Sequence, residues 1–573
     1  MAIENNYHVN DMRKSNNKKK IIERLFVEFE TLPKIEEIEK RYPSRELKEG
    51  AMVTRIAPSP TGFMHIGSLY TALVSERLTH QTNGIFYLRI EDTDKKREVK
   101  GASDFVVKSL DRFNVKTDEG QTIHGNETGD YGPYKQSERS LIYKAYAKSL
   151  LEKGLAYPCF CLLEEIEEMK KEQESKKLRL GYYGDWAKWR NKTEEDILQA
   201  IKDGKEFVIR FKSSGNINKK IEFEDVVKGK MEIPENDQDI VIIKSDGLPT
   251  YHMAHVIDDH LMGTTHVIRG NEWLISTPIH LQLFEALGWK PPQYGHLAPI
   301  QKIEGSSKRK LSKRKDPEAS VTYYDEQGYP ENAVIEYLLN LANSDFEDWR
   351  KKNPLKNNRE FNLTLKKLAS SAGPLFDFNK LNDISKDIIS KLSGDEVYKY
   401  TLEWSIKNDN EFSELLTKYP EYARKILSIE RDGTDEKRRR KDFAKWSDVK
   451  SDANYFFDEN FNLKKEEITT LLSGFDVNDV KAIIVSFVDQ YKESDPKDKW
   501  LEILRNISVR YGYAESNKSF KADPLKYKGH LADVAKIFRI FLTGRSQTPD
   551  LYSIIQIMGK DRVLKRLSAV NAL

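Results

Sequence analysis

The sequence predicts an α/β protein: a parallel, doubly wound sheet split by an α+β insertion and followed by an all-helical region. Three observations carry this. Strand and helix patterns alternate from residue 51 to about 134, as parallel sheets require. The alternation breaks over 135–250 and returns at 251–290. Beyond about Pro330 the apolar spacing is helical, punctuated by Pro and Gly.

Residues 1–50 are polar and charged, with N-N-K-K-K at 16–20 ahead of Ile21, Ile22, Leu25, Phe26 and Phe29. That spacing predicts one amphipathic helix and a second near Ile35–Lys40, a structural extension. Ala51, Met52, Val53, Ile56 and Ala57 form a short apolar run, read as a buried strand. Pro58, Pro60 and Gly62 then force a loop, and a helix follows over Leu69–Thr82. Asn83-Gly84 turns the chain into the strand Ile85–Ile90, which ends in E-D-T-D at Glu91–Asp94, and a helix covers Ala102–Phe113. Polar residues just beyond the carboxyl end of a parallel strand lie where open α/β sheets bind ligands.

Within the insertion the pattern predicts helices at Ser140–Lys153 and Glu164–Lys177, then strands at Glu206–Phe211 and up to Val241–Lys244. The returning alternation gives a helix near His255, a strand at His266–Gly270 and a helix at Thr277–Leu287. A basic loop occupies Ser306–Lys315. The helical region includes one helix across Glu411–Leu427, and the charge run E-K-R-R-R-K at 436–441 reads as a solvated helix face or a surface for phosphates. The expected domains are 1–50, an extension; 51–134 with 251–290, catalytic; 135–250, the insertion; 291–393, a connecting segment; and 394–573, helical.

Composition narrows the class. The chain has 573 residues, 38% hydrophobic and 32% charged, with 94 basic against 91 acidic side chains and a formal net charge of +3. That length calls for several cores, and near-balance excludes a polycation, so any nucleic-acid surface is local. The two cysteines, Cys159 and Cys161, imply a reducing compartment rather than a disulfide framework. No apolar run approaches a membrane span and the charged N-terminus lacks a signal-peptide core, so the expectation is a cytoplasmic protein with no membrane partner.

A strand, a Pro/Gly loop holding a His and a helix N-terminus together suit a phosphate site, because free backbone N–H groups and the positive end of the helix dipole converge there. Taken alone, the loop reads more readily as an ordinary strand-to-helix turn with a satisfied His. A second candidate phosphate segment, K-L-S-K-R at 310–314, lies on the far side of the split sheet.

Together P-S-P-T-G-F-M-H-I-G-S (58–68) and K-L-S-K-R resemble the HIGH-type and KMSKS-type signatures of class I aminoacyl-tRNA synthetases. L-R-I-E-D-T-D, P-Y-K-Q-S-E-R, K-S-D-G-L-P-T-Y-H and D-D-H-L-M-G-T-T-H-V-I-R-G-N-E-W narrow the likeness to glutamyl-tRNA synthetase. F-L-T-G-R-S-Q-T-P-D-L-Y near the C-terminus is similar to the bacterial type, and the resemblance covers about 51–573. It implies a Rossmann-like catalytic domain, an insertion that binds the acceptor end, a KMSKS-loop and stem-contact domain over 291–393 and a helical anticodon-binding region. It also implies glutamate activation by ATP with Mg²⁺, acyl transfer to the 3′-terminal adenosine of tRNA(Glu), adenylate formation only when tRNA is bound, and a monomer. The nearest alternatives are glutamylation of tRNA(Gln) as well, or glutaminyl-tRNA synthesis.

Carried over residue by residue, the resemblance makes His65, Lys310 and Lys313 the catalytic set. Pro58, Gly62, His65, Gly67, Ser68, Lys310, Ser312 and Lys313 become the ATP site, and Arg55, Ser59, Glu91, Tyr251 and Arg269 the glutamate site. Guanidinium groups suit a substrate with two carboxylates, and Glu91 suits its ammonium. Three positions depart from the family pattern. Ser68 replaces a second His of the signature, and His255 stands where some relatives carry a small or amide residue. Cys159-x-Cys161 resembles the start of a zinc knuckle, but with Tyr182 present and Trp186 in the place of its last cysteine the ligands are too few, and no zinc is expected.

Overall fold

The computed structural model describes residues 17–368, 373–435 and 439–573. The first 16 residues of the N-terminal extension and residues 436–438 of the basic run lie outside the described residues. The chain divides into two compact units, one running to Tyr323 and including Ile335–Asp377, the other made of Tyr324–Val334 and Phe378–Leu573.

In the first unit, strands Val53–Ile56 and Ile85–Leu88 pair in parallel, Val53 opposite Ile85. Strands His266–Gly270 and Gln293–Leu297 form a second parallel pair, Arg269 opposite His296. The two pairs meet where the Thr265 N–H donates to the Val53 carbonyl at 3.0 Å and the Val53 N–H donates to Thr265 Oγ1 at 2.8 Å. Helix Ile66–Gln81 packs on this sheet, with Leu69, Ala72, Leu73 and Val74 sealed from water. Even its Glu76 is buried, because Arg77 and Arg359 neutralise it. An all-round buried helix is the signature of a sheet covered on its faces.

The insertion builds a three-stranded antiparallel sheet from Ala156–Cys159, Val208–Phe211 and Val241–Ile243. It also sends a hairpin, Lys220–Asp225 with Gly229–Pro234, back to the parallel sheet, where Asp225 pairs beside Tyr294. Residues 17–25 are helical and Ile35–Arg41 forms a second helix. Ile21, Ile22, Leu25, Phe26, Ile38 and Tyr42 of this extension share one core with Ile142, Tyr143 and Tyr146 of helix Ser140–Glu152. Arg45 fastens the end of the extension by a two-pronged pair with Glu119, at 2.7 Å on each side.

Two expected elements differ. The basic loop is half of a hairpin, Gln301–Glu304 with Ser307–Lys310, turned by Gly305 at φ +61° and tied across by Arg309–Glu304. Its charged residues carry no apolar alternation, so periodicity could not show the strand. The helix expected across Glu411–Leu427 is two helices, Asn410–Lys418 and Pro420–Ser428. Pro420 lacks an N–H and drives Tyr419 out of helical geometry, to φ −126° and ψ 55°. The second unit is otherwise helical around one core that includes Val480, Phe487, Ile537 and Phe541.

Candidate active site

A cleft of about 800 Å³ opens over the carboxyl ends of the parallel strands. Of the expected site residues, Arg55, Pro58, Ser59, His65, Gly67, Ser68, Glu91, Tyr251, Arg269 and Lys310 line it together. Gly62, Ser312 and Lys313 stand outside its lining.

His65 is the N-cap of helix Ile66–Gln81. Its Nδ1 accepts from the Gly67 N–H at 2.9 Å. Nε2 therefore carries the proton and faces the Leu311 carbonyl at 3.2 Å, so the two signature segments touch through this ring. A Cβ on Gly67 would sit 3.0 Å from His65 Nδ1 and crowd the capping ring. Burial pushes the imidazole below its ordinary pKa, overcoming the Leu311 bond, and Lys313 and Lys310 push the same way. The ring is a neutral donor.

Lys313 Nζ donates to the Phe63 carbonyl, back in the first signature, and burial lowers its pKa. Lys310 pairs with Glu272 at 3.2 Å. The turn between these lysines is fixed by Asp316, whose carboxylate accepts from Arg309 at 2.6 and 2.8 Å and from the Ser312 N–H at 2.9 Å. Arg309 holds that carboxyl well below its usual range.

The floor is an ionic layer. Asp259 takes Arg89 Nη1 at 2.6 Å and lies 3.4 Å from Arg55 Nε. Arg89 also donates to Glu91 at 3.1 Å. Asp258, on the same helix, is held by Arg139 at 2.7 Å, Gln136 at 2.8 Å and Tyr143 at 2.8 Å. All of these charges are buried. Burial raises the Glu91 pKa against the opposing pull of Arg89 and Arg55. His255 does not reach the cleft lining. Fully buried, it lies 3.0 Å from Asp259 Oδ2, 3.4 Å from Arg55 and 3.1 Å from the Tyr294 hydroxyl, and burial drives its pKa down.

Arg269 differs from Arg55, Arg89 and Arg139, each of which has a carboxylate partner. Its contacts are the His296 ring at 2.9 Å, His280 Nδ1 at 3.2 Å, Thr277 Oγ1 at 2.9 Å, the Trp273 carbonyl at 3.2 Å and the Tyr251 hydroxyl at 3.4 Å. Every one is a neutral acceptor or a ring held by another group. Among the described residues no carboxylate forms an ion pair with it. Arg269 is therefore a buried cation with no carboxylate in direct contact among the described residues, which favours an anion beside it in the cleft.

Arg89 and Asp259 lay inside the quoted motifs but only the fold shows them as the charge floor. His296, His280 and Asp225 were outside every motif; strand register sets His296 beside Arg269 and Asp225 behind His296, while helix Thr277–Leu287 delivers His280. In the insertion, Cys159 and Cys161 are free thiols on the Tyr182 hydroxyl at 3.4 and 3.5 Å. Trp186 packs against that cluster instead of supplying a ligand. Among the described residues no group of three or more His, Cys, Asp or Glu could hold a metal, and no helix is long and apolar enough to cross a membrane.

Comparison with known proteins shows the family. Residues 51–383 match the family of class I tRNA synthetases (E and Q), catalytic domain, and residues 522–571 match an anticodon binding domain. The chain is 49% identical to a glutamate–tRNA ligase of Clostridium perfringens, over 93% of this chain and 96% of that one. It is 43% identical to the same enzyme of Sorangium cellulosum, over 93% and 97%. In structure it resembles a crystallised glutamate–tRNA ligase of Elizabethkingia meningosepticum in complex with its amino acid, with TM-score 0.70, 26% identity and coverage of 91% and 99%. The chain thus belongs to the class I tRNA synthetases of the E and Q group, in the glutamate–tRNA ligase family.

Proposed function

We propose that the chain joins L-glutamate to tRNA(Glu) in two steps: glutamate and ATP give glutamyl-adenylate and pyrophosphate, and the acyl group then passes to the 3′-terminal adenosine. The observation that carries the choice of amino acid is Arg269, a buried cation touched by no carboxylate among the described residues, in the wall of the same cleft as His65 and Lys310. A carboxylate supplies the missing charge. With Arg269 on the side-chain carboxylate and Arg55 on the other, the neutral side-chain amide of glutamine leaves that charge unmet, which sets glutamate above glutamine.

The chemistry asks little of covalent catalysis. The glutamate carboxylate attacks the α-phosphorus, so the site must hold two anions together and stabilise charge on the phosphate oxygens. Arg55 and Arg269 are suited to the amino acid's carboxylates, and Glu91 to its ammonium. The backbone at Gly67 and Ser68, on the N-terminal turn of helix Ile66–Gln81, offers donors and the helix dipole to the nucleotide. His65 exchanges the Leu311 carbonyl for a phosphate oxygen, and Lys313 leaves the Phe63 carbonyl for the leaving pyrophosphate. Mg²⁺ enters as part of the nucleotide substrate, with phosphate oxygens as its main ligands. The same reading makes the insertion the seat of the acceptor end, the C-terminal helices the reader of the anticodon, and the enzyme a cytoplasmic monomer that forms the adenylate only with tRNA bound.

Charging assays with tRNA(Glu) and tRNA(Gln), each with glutamate and glutamine, test this. The expected product is glutamyl-tRNA(Glu) alone. Glutamyl-tRNA(Gln) would broaden the enzyme to both tRNAs, and activation of glutamine would overturn the assignment.

A further inference from the structure

Arg269 does not orient itself. It sits in strand His266–Gly270 directly opposite His296 of strand Gln293–Leu297, so parallel register puts both side chains on one face of the sheet. Nε–H donates to His296 Nε2 at 2.9 Å. A guanidinium can only donate, so that ring nitrogen must be the bare one and the proton lies on Nδ1. Asp225 Oδ2 receives that proton at 2.6 Å. The other oxygen of Asp225 is committed to backbone: the Val227 N–H at 2.9 Å, the Lys228 N–H at 2.8 Å and the His296 N–H at 3.3 Å. Asp225 and His296 are fully buried.

We infer that Asp225 and His296, one from the insertion hairpin and one from the neighbouring strand, are positioning residues that set the ring tautomer and thereby aim the Nη1/Nη2 edge of Arg269 at the substrate carboxylate. The aim follows from which donors are taken. With Nε–H on His296, the side-on edge of the guanidinium is held within the wall, and the end-on edge is the one whose neighbours Tyr251 and Trp273 face the cleft, available for two-pronged recognition once a carboxylate replaces those contacts. On that edge Nη1 reaches the Tyr251 hydroxyl at 3.4 Å and Nη2 the Trp273 carbonyl at 3.2 Å, and both residues line the cleft. His280 and Thr277, which do not line it, hold the same nitrogens from behind. His280 obeys the same logic: its Nδ1 accepts from Arg269, so its Nε2–H points to His252 Nδ1 at 3.0 Å. The acid–imidazole pair therefore acts on a bound carboxylate through a guanidinium, as a catalytic acid elsewhere fixes a histidine tautomer without touching substrate.

This inference rests on the assignment of Arg269 to the amino-acid site, and the test separates the two. In Asp225→Asn the amide oxygen stays with the backbone N–H groups and the NH₂ faces His296 Nδ1. The proton moves to Nε2, donor meets donor, and Arg269 loses its aim. The expected result in tRNA-dependent pyrophosphate exchange is a glutamate KM raised roughly ten- to a hundredfold, with the ATP KM unchanged. His296→Gln presents an oxygen near the Nε2 position and is expected to keep a near-normal glutamate KM, and adding Asp225→Asn to it should have no further effect. His296→Leu, which leaves the hairpin's backbone bonds intact, should reproduce the defect and stands in if Asp225→Asn alone does not fold. A normal glutamate KM in Asp225→Asn and His296→Leu, beside a raised one in Arg269→Lys, overturns the inference alone. A persisting Asp225→Asn defect in the His296→Gln background also overturns it, since Asp225 then serves only the hairpin. A normal glutamate KM in Arg269→Lys overturns the assignment of Arg269 as well.

Discussion

Asp259→Asn is the sharpest probe of the ionic floor. Asp259 lies 2.6 Å from one buried guanidinium and 3.4 Å from another. At an effective dielectric of ~20 the two attractions are worth about 6 and about 5 kcal/mol gross. Removing the carboxylate's own desolvation returns several kcal/mol, so the net cost is about 3–5 kcal/mol, the usual cost of breaking a buried pair. Arg55 and Arg89 belong to the paired strands Val53–Ile56 and Ile85–Leu88 or follow directly on them, so the loss falls on that pair. Amide hydrogen exchange read by mass spectrometry should show these strands exchanging at least a hundredfold faster, with the helices of the C-terminal unit unaffected. Unchanged protection in the two strands would refute the reasoning, because the arginines would then be satisfied without Asp259.

Other consequences follow from the same geometry. Lys313→Ala should cut adenylate formation by on the order of a hundredfold while leaving tRNA binding intact, and unaltered pyrophosphate exchange would count against it. Asp316→Asn frees Arg309 and the Ser312 N–H, so the ATP KM should rise about tenfold with the glutamate KM unmoved, as steady-state kinetics in each substrate will show. Its stabilising effect is of the depressed-carboxyl kind: present above the ordinary carboxylate range and lost only as pH falls through the lower folded value. Glu91 has the opposite sign. Burial raises its pKa, so it protonates at a higher pH than an ordinary Glu, and glutamate affinity should fall with decreasing pH earlier than a solvent-exposed carboxylate would allow. Glu91→Gln should remove that limb of the binding profile measured by calorimetry. Deleting residues 1–50 uncovers Ile142, Tyr143 and Tyr146 and should leave the protein aggregating, whereas a soluble, active truncation would mean that the extension is dispensable.

The first signature was legible because it is local. Strand, Pro/Gly loop, His and helix follow one another along the chain, and each is announced by its own residues. The cleft that gathers Arg55, Glu91, Tyr251 and Arg269 was legible through motifs whose members sit at strand ends. What surrounds Arg269 was not. His296 and Asp225 reach it through the register of strands far apart in the chain, and no spacing rule encodes a register between them. The ties from His65 to Leu311 and from Lys313 to Phe63 are of the same kind, long-range contacts that the two signatures do not announce singly. Helix ends were misjudged where a proline cut a continuous apolar stripe, as at Pro420, because periodicity averages over the break.

The hairpin Lys220–Pro234 gives the insertion a second character. Modules that hang from a host by two linkers can be exchanged between relatives by cutting the linkers. This one cannot, because Asp225 pairs with the host's strand beside Tyr294 and its carboxylate serves a host histidine. A chimera that transplants the insertion must keep the recipient's own hairpin and splice on either side of it. One that moves the whole segment brings a foreign residue behind His296 and Arg269, so a change made in the insertion would also reach the cleft.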